Sequence, residues 1–179
     1  MTTTINNIII DITAIGKYKT GYYTYATFVI DQIWNGSLFS DQDICLIISN
    51  KSCISEYIRR KRVDVRRRGK IKIKLMPSIH PLLRILYCTI YISILSITLR
   101  NTSVFSPVNF GPLFCFAKHY LFLHDLSVWG LSQNIQHRSR ISKTVMQLCI
   151  STSSIFAYKI FCQSNFTKGI LLNKFPRFK

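Results

Sequence analysis

The sequence is poor in acidic residues, and this shortage excludes several kinds of site. Among 179 residues it has 7 Asp and Glu against 24 Lys and Arg, a formal net charge of +17. Such an excess favours an anionic partner: a nucleic acid, an anionic membrane surface or a phosphorylated substrate. Only two acids, Asp11 and Asp125, stand at the ends of predicted strands. The pair of carboxylates that a glycosidase needs is therefore poorly supported.

The usual metal and nucleophile motifs are also missing. The six cysteines include no C-x-x-C pair, so their spacing argues against a zinc site and a disulfide framework. We expect most of them to be small buried hydrophobes in a reducing compartment. His80, His119 and His137 lack ligand spacing, and His119 is expected at the surface before a strand. No G-x-S-x-G elbow is present.

The main apolar run is too short to be read as a membrane span. The uninterrupted part, from Ile85 to Leu99, is shorter than the roughly 20 residues that a spanning helix needs. Arg84 and Arg100 bracket it. We expect a buried or membrane-leaning helix here. The N-terminus also lacks the pattern of a secretory signal.

Apolar strands alternate with segments of helical period along the whole chain. The predicted strands cover 8–10, 44–49, 71–75, 103–107, 120–125 and 158–164; the predicted helices cover 21–33, the stretch up to about 58, 82–99, 138–154 and 165–175. The alternating 71–75 is typical of a half-solvated or edge strand, and the serine-rich end of 138–154 suggests fraying. This order predicts one α/β sandwich with a mostly parallel sheet.

Polar residues cluster where the predicted strands end, which is where ligands bind in such sheets. The loop 15-IGKYKTG-21 fits neither a Walker loop nor G-x-G-x-x-G. A helix beginning at Gly21 still offers free N–H groups to a phosphate, with Lys17 and Lys19 adding charge and Thr20 as a cap. The alternative is a glycine-eased turn with solvated lysines.

The other strand ends carry His124-Asp125 and Ser164. His124 is suited to bonding a sugar hydroxyl while Asp125 orients its ring; alternatively, Asp125 is a cap and His124 a rim residue. Ser164 is predicted to cap the last helix, with Lys168 in its first turn, and a capped terminus can also hold an anion.

The basic run 59–74 is more often a solvated face than a site. A nucleic-acid site would interleave aromatic residues with the charges, and only Tyr57 lies nearby. An anionic membrane surface needs only charge and adjacent apolar area, which the helix 82–99 supplies. The membrane surface is the favoured interpretation of this run.

Four stretches taken in order resemble the N-terminal domain of family 4 glycosyltransferases with the GT-B fold. They are 8-IIIDITAIGKYKTGYYTYATFVIDQI-33, 106-SPVNFGPL-113, 121-LFLHDLSVW-129 and 162-CQSNFTKGIL-171. The resemblance implies a Rossmann-like three-layer sandwich over residues 1–179 that binds the acceptor. It also implies a cytoplasmic enzyme of bacterial polysaccharide biosynthesis, of the O-antigen or lipopolysaccharide type, with the inner membrane face as an optional peripheral location.

In this family a sugar moves with retention from a nucleotide sugar to a lipid-linked or polysaccharide acceptor, usually without a metal or further cofactor. The resemblance assigns His124 and Asp125 to the transferred sugar as catalytic residues. It assigns the remaining matched positions to donor or acceptor binding: Gly16, Lys17, Thr20, Gly21, Asn109, Ser164 and Lys168.

The sequence departs from the family in two respects. Family members carry a second domain with paired glutamates that holds the donor, whereas this chain has only Glu56 and ends at Lys179. We therefore expect the donor half to be absent, or supplied by a separate chain, and activity alone to be weak or nil. Position 22 is Tyr where a smaller aliphatic residue is commoner. The alternative function is a non-catalytic basic protein that binds nucleic acid or an anionic membrane, although nucleic acid is not the expected partner.

Overall fold

In the computed structural model, strands and helices alternate as predicted except at one place, where the fourth and fifth strands are joined by a loop with no helix between them. The structure describes residues 7–15, 21–50, 52–61, 70–77, 80–124, 126, 129 and 140–178. Within these ranges the strands are β1 (Asn7–Asp11), β2 (Asp43–Ser49), β3 (Ile71–Met76), β4 (Thr102–Ser106), β5 (Lys118–Leu123) and β6 (Lys159–Cys162). The helices are α1 (Gly21–Trp34), α2 (Cys53–Lys61), α3 (Pro81–Thr98), α4 (Arg140–Phe156) and α5 (Asn165–Lys174).

The six strands form one parallel sheet in the order β3-β2-β1-β4-β5-β6. The predicted parallel sheet is confirmed, and the alternating strand β3 lies at its edge as expected. From β1 the strands β2 and β3 are added toward one edge of the sheet, and from β4 the strands β5 and β6 are added toward the other edge, so the direction reverses between β1 and β4. At such a reversal the loops diverge and leave a crevice at the carboxyl edge, where Rossmann-type folds bind ligands.

The helices cover both faces of the sheet. Successive strand residues point to opposite faces, and Ile8 and Ile10 pack against α1 and α2 whereas Ile9 packs against α3. Helix α4 lies on the same face as α3, because its Ile150 packs on the β5 side chains that share a face with Val104 of β4. The three-layer Rossmann-like sandwich is thus present.

Two local predictions need correction. The serine-rich end of α4 is not frayed: the helix continues to Phe156, and Ser153 and Ser154 are fully buried in the packing against the sheet. Strand β5 begins at Lys118 rather than at 120, which places His119 inside the strand. The predicted break after α1 is confirmed, since Gly36 has a φ of 74°, a conformation that glycine adopts without strain.

Helix α3 is the longest apolar helix among the described residues. Within those residues, no helix combines the length and the apolarity needed to cross a bilayer.

Candidate functional site

His124 occupies the predicted place at the carboxyl edge of the sheet. It is the first residue after β5 and shares a face with Phe122, because the two are separated by one residue. That face is the one that α1 covers. The His124 ring therefore meets the first turns of α1, with ring centroids 5.3 Å from Tyr22 and 4.5 Å from Tyr25. Phe122 closes the group at 4.9 Å.

Two hydrogen bonds fix the orientation of the His124 ring. Nε2 lies 2.9 Å from the carbonyl oxygen of Pro107, and since a carbonyl only accepts, Nε2 carries a proton. Nδ1 lies 3.2 Å from Oε1 of Gln163, an oxygen that only accepts. A protonated ring donates to this oxygen, whereas a neutral ring accepts at Nδ1 only when the amide is turned so that its NH₂ group faces the ring. Nδ1 is thus the nitrogen available to accept a proton or a hydrogen bond.

Asn109 connects the loop after β4 to both neighbouring elements. It is 2% exposed. Its side-chain oxygen accepts from the His124 backbone N–H at 2.8 Å, and its amide nitrogen donates to the Tyr22 hydroxyl at 2.6 Å. One buried amide thereby holds β5, the β4 loop and the start of α1 together. Its geometry is that of a positioning residue.

The start of α5 is attached to the same site. Ser164 caps this helix by accepting from the Thr167 N–H at 3.1 Å, as predicted. Thr167 is buried, and its hydroxyl donates to the backbone carbonyl of His124 at 3.2 Å. The cap therefore fixes the position of α5 relative to His124.

A cavity of about 700 Å³ opens over this group of residues. Its described walls are Gly21, Tyr22, Thr24, Tyr25, Phe28, His124 and Gln163. A second cavity of about 810 Å³ lies beside it and contains Ser164 and Lys168 in its wall. The two cavities are neighbours, because Gln163 lines both of them. Phe122 lines the second cavity and its ring contacts the ring of His124 in the first. Aromatic walls with a few convergent polar groups are typical of small-molecule sites.

Comparison with protein-family models, with curated proteins and with solved structures gave no match.

The structure brings together many of the residues that the sequence analysis singled out. Gly21 and His124 line one cavity, Ser164 and Lys168 line the next, and Asn109 lies buried between α1 and β5. The remaining candidate residues lie outside the described residues: Gly16, Lys17, Thr20 and Asp125.

Three side chains of the site were not recognised as such in the sequence. Tyr22 and Tyr25 belong to the predicted helix 21–33. They are only half-buried and turn toward His124, while Ala26 and Val29 fill the core. Gln163 directly follows β6, so the rule that selected His124 applies to it equally. Only the contact between α1 and β5 shows that these residues meet.

Asp11 is a buried carboxyl group at the end of the central strand β1. Its Oδ1 accepts from the Thr13 N–H at 3.0 Å and from the Thr13 hydroxyl at 2.8 Å. Burial nevertheless raises its pKa, although the Thr13 bonds and the charge of Arg84 oppose that change. The same surroundings raise the pKa of the Cys88 thiol to about 12, chiefly through burial. The Cys88 thiol is therefore not prepared for nucleophilic chemistry at neutral pH.

His119 is not a surface residue, which corrects the expectation from the sequence. It is 1% exposed, and its Nε2 lies 3.0 Å from the Ser106 hydroxyl. Burial lowers its pKa to about 4, so the ring is neutral at physiological pH. Gly111 packs against this pair so closely that a Cβ there would lie 2.1 Å from Ser106 Oγ. The cluster is a structural support for the β4 loop.

Metal binding and thiol chemistry find little support in the described part of the chain. Within it, no group of three or more His, Cys, Asp or Glu side chains is arranged to hold a metal ion. Burial raises the thiol pKa of five cysteines: Cys45, Cys88, Cys115, Cys149 and Cys162.

Proposed function

We propose that this chain is the acceptor-binding domain of a retaining GT-B-type glycosyltransferase, which moves a sugar from a nucleotide sugar to a lipid-linked or polysaccharide acceptor. The observation that carries the proposal is a cavity at the carboxyl edge that α1, His124 and Gln163 line together, with His124 held in its wall by the β4 loop and α5. The resemblance of the four sequence stretches supports the same function.

The shape and chemistry of the cavity suit a sugar. A pyranose ring has one apolar face of C–H groups and a rim of hydroxyls. Tyr25 and Phe28 offer flat apolar surface, while His124 Nδ1 and the Gln163 amide offer hydrogen-bonding groups. Because Pro107 holds the Nε2 proton, Nδ1 is left to accept from a sugar hydroxyl once the Gln163 amide turns away. The exposed Gln163 side chain can make that movement without repacking the core.

The first experiment measures binding of free and lipid-linked oligosaccharides to the chain by calorimetry or ligand-observed NMR. Substituting His124→Ala removes the hydroxyl acceptor and is expected to weaken binding by about tenfold or more. His80→Ala is the matched control, because His80 is exposed at the start of α3 and is not among the described walls of the cavity. Equal binding by the His124→Ala and wild-type chains would contradict a sugar-contacting role for His124.

A second experiment tests transfer itself. We expect this chain alone, mixed with nucleotide sugars and acceptors, to show little or no hydrolysis or transfer. Supplying a glutamate-bearing donor domain, fused or as a separate chain, is expected to restore transfer, and His124→Ala to abolish most of it. Robust turnover by the single chain would refute the need for a second domain.

A further inference from the structure

Helix α3 presents an unusually apolar outer face. Its inner side packs on the sheet through Cys88 and Ile92, which are 2% and 0% exposed. Seven large apolar side chains of the same helix are each 45–64% exposed: Leu82, Leu83, Leu86, Tyr87, Ile90, Ile94 and Ile97. The sequence positions 83, 86, 90, 94 and 97 recur every three or four residues, so these side chains form one continuous stripe.

Two phenylalanines extend this stripe sideways. Phe114 is 44% exposed and Phe116 is 71% exposed. Their loop is attached to α3, because Ser93 donates to the Phe114 carbonyl at 3.1 Å and the Phe116 N–H donates to Ser96 at 3.2 Å. We call the stripe together with Phe114 and Phe116 the α3 face. Contiguous apolar surface of this kind usually marks a contact with a protein or a membrane.

The charged residues that flank the α3 face in the described part of the chain are basic. The sequence from 65 to 124 contains no Asp or Glu. Arg84 lies in the first turn of α3 and Arg100 just beyond its end, while the Lys74 ammonium lies 5.5 Å from the centre of the Tyr91 ring. Asp11, whose carboxyl group interacts with the charge of Arg84, is buried beneath the face rather than exposed on it.

We propose that the α3 face is a docking surface for a bilayer that contains anionic lipid. An apolar centre with a cationic rim matches acyl chains below and anionic headgroups beside them, as in helices that lie in the membrane interface. A second copy of the chain fits less well, since each copy carries a net charge of +17 and the two cationic rims would face each other. A nucleic acid would meet aliphatic side chains where its phosphates need cations.

The inference does not depend on the proposed enzymatic function. If both hold, the geometry relates them. The charge of Arg84 in the first turn of α3 acts on Asp11 at the carboxyl end of β1, so the docking face begins beside the edge that carries the candidate site. A lipid-linked substrate held in the bilayer would then arrive next to that edge.

The test is vesicle flotation of the full chain. We expect binding to phosphatidylcholine vesicles that contain phosphatidylglycerol and much weaker binding to pure phosphatidylcholine. The double variant Ile90→Ser/Ile94→Ser removes apolar surface from the centre of the α3 face without touching the core. It is expected to lower the partition coefficient by about tenfold or more. Circular dichroism confirms that the variant is folded.

The matched control is Leu38→Ser/Phe166→Ser, which removes two exposed apolar side chains outside α3. This variant should float like the wild-type chain. Equal flotation of the Ile90/Ile94 variant and the wild type would overturn the proposal, as would equal binding to neutral and anionic vesicles. A stable dimer in analytical ultracentrifugation that the Ile90/Ile94 variant dissociates would overturn it in favour of a second copy.

Discussion

His119 couples the stability of this fold to pH. The unperturbed imidazole titrates near 6.5, whereas burial lowers the pKa of His119 to about 4. Folding therefore disfavours the protonated ring. The stability contributed by the neutral ring is fully present above pH 6.5 and is lost as the pH falls toward 4. By pH 4 the loss amounts to about 3 kcal/mol.

This effect is measurable as a difference between two proteins. We expect the free energy of unfolding of the wild-type chain to fall more steeply between pH 7 and pH 4 (the window set by about 6.5 and about 4) than that of His119→Gln, which keeps a polar partner for Ser106. Asp11 titrates in the opposite sense, because a raised carboxyl pKa makes the fold more stable as the pH falls. Asp11 is present in both proteins, so its contribution cancels. Parallel pH profiles from urea unfolding would contradict the buried neutral His119.

Predictions for single residues succeeded where the place of the residue at the end of a strand or the start of a helix determines its role. His124 was placed at the end of β5 from the apolar run before it, and Ser164 was identified as a cap from its place before a helical pattern. His119 was misplaced, because the start of β5 cannot be read from a mixed stretch such as Lys118–Tyr120. Burial of a polar residue depends on partners such as Ser106, which are distant in sequence.

Among the elements, α5 shows how a short helix depends on its first turn. It has ten residues, of which only Thr167 and Leu171 are buried, so packing alone holds it weakly. The Ser164 cap satisfies one of the N–H groups that the first turn leaves unpaired. It also fixes Thr167, whose hydroxyl reaches the His124 carbonyl.

Removing this cap should therefore cost stability. Ser164→Ala is expected to lower the free energy of unfolding by about 1 kcal/mol, whereas Ser164→Asn keeps a side-chain acceptor and should lower it by much less. Urea unfolding monitored by circular dichroism measures both. If the Asn variant is as unstable as the Ala variant, the serine has a role other than capping.

For the whole molecule, the net charge of +17 is the dominant property, and it alone does not select a partner. A chain this basic binds any polyanion to some extent, with an affinity that falls steeply as salt rises. Specific nucleic-acid readers add stacking aromatics or base-contacting side chains to that charge. Much of the basic run 59–74 lies outside the described residues, and its exposed described cations include Arg59 and Lys70.

Duplex DNA provides the corresponding test. At physiological salt we expect only non-specific binding, with a dissociation constant of about 1 μM or weaker and no preference for sequence. Fluorescence anisotropy across a salt series measures the affinity and the salt slope. Nanomolar, sequence-dependent binding would instead favour the non-catalytic nucleic-acid function over the proposed transferase.

The sequence alone determined the order of strands and helices, the parallel sheet, the edge position of β3 and the polar residues that end the strands. These features follow from local period and from the geometry of neighbouring residues, which a single stretch of chain contains. The tertiary structure decided which side chains meet. Three features depend on how separate elements pack: the contact of Tyr22 and Tyr25 with His124, the burial of His119 and Asn109, and the exposure of the α3 face. Packing brings together residues that are far apart in sequence, so the local sequence pattern around each residue does not reveal its partners.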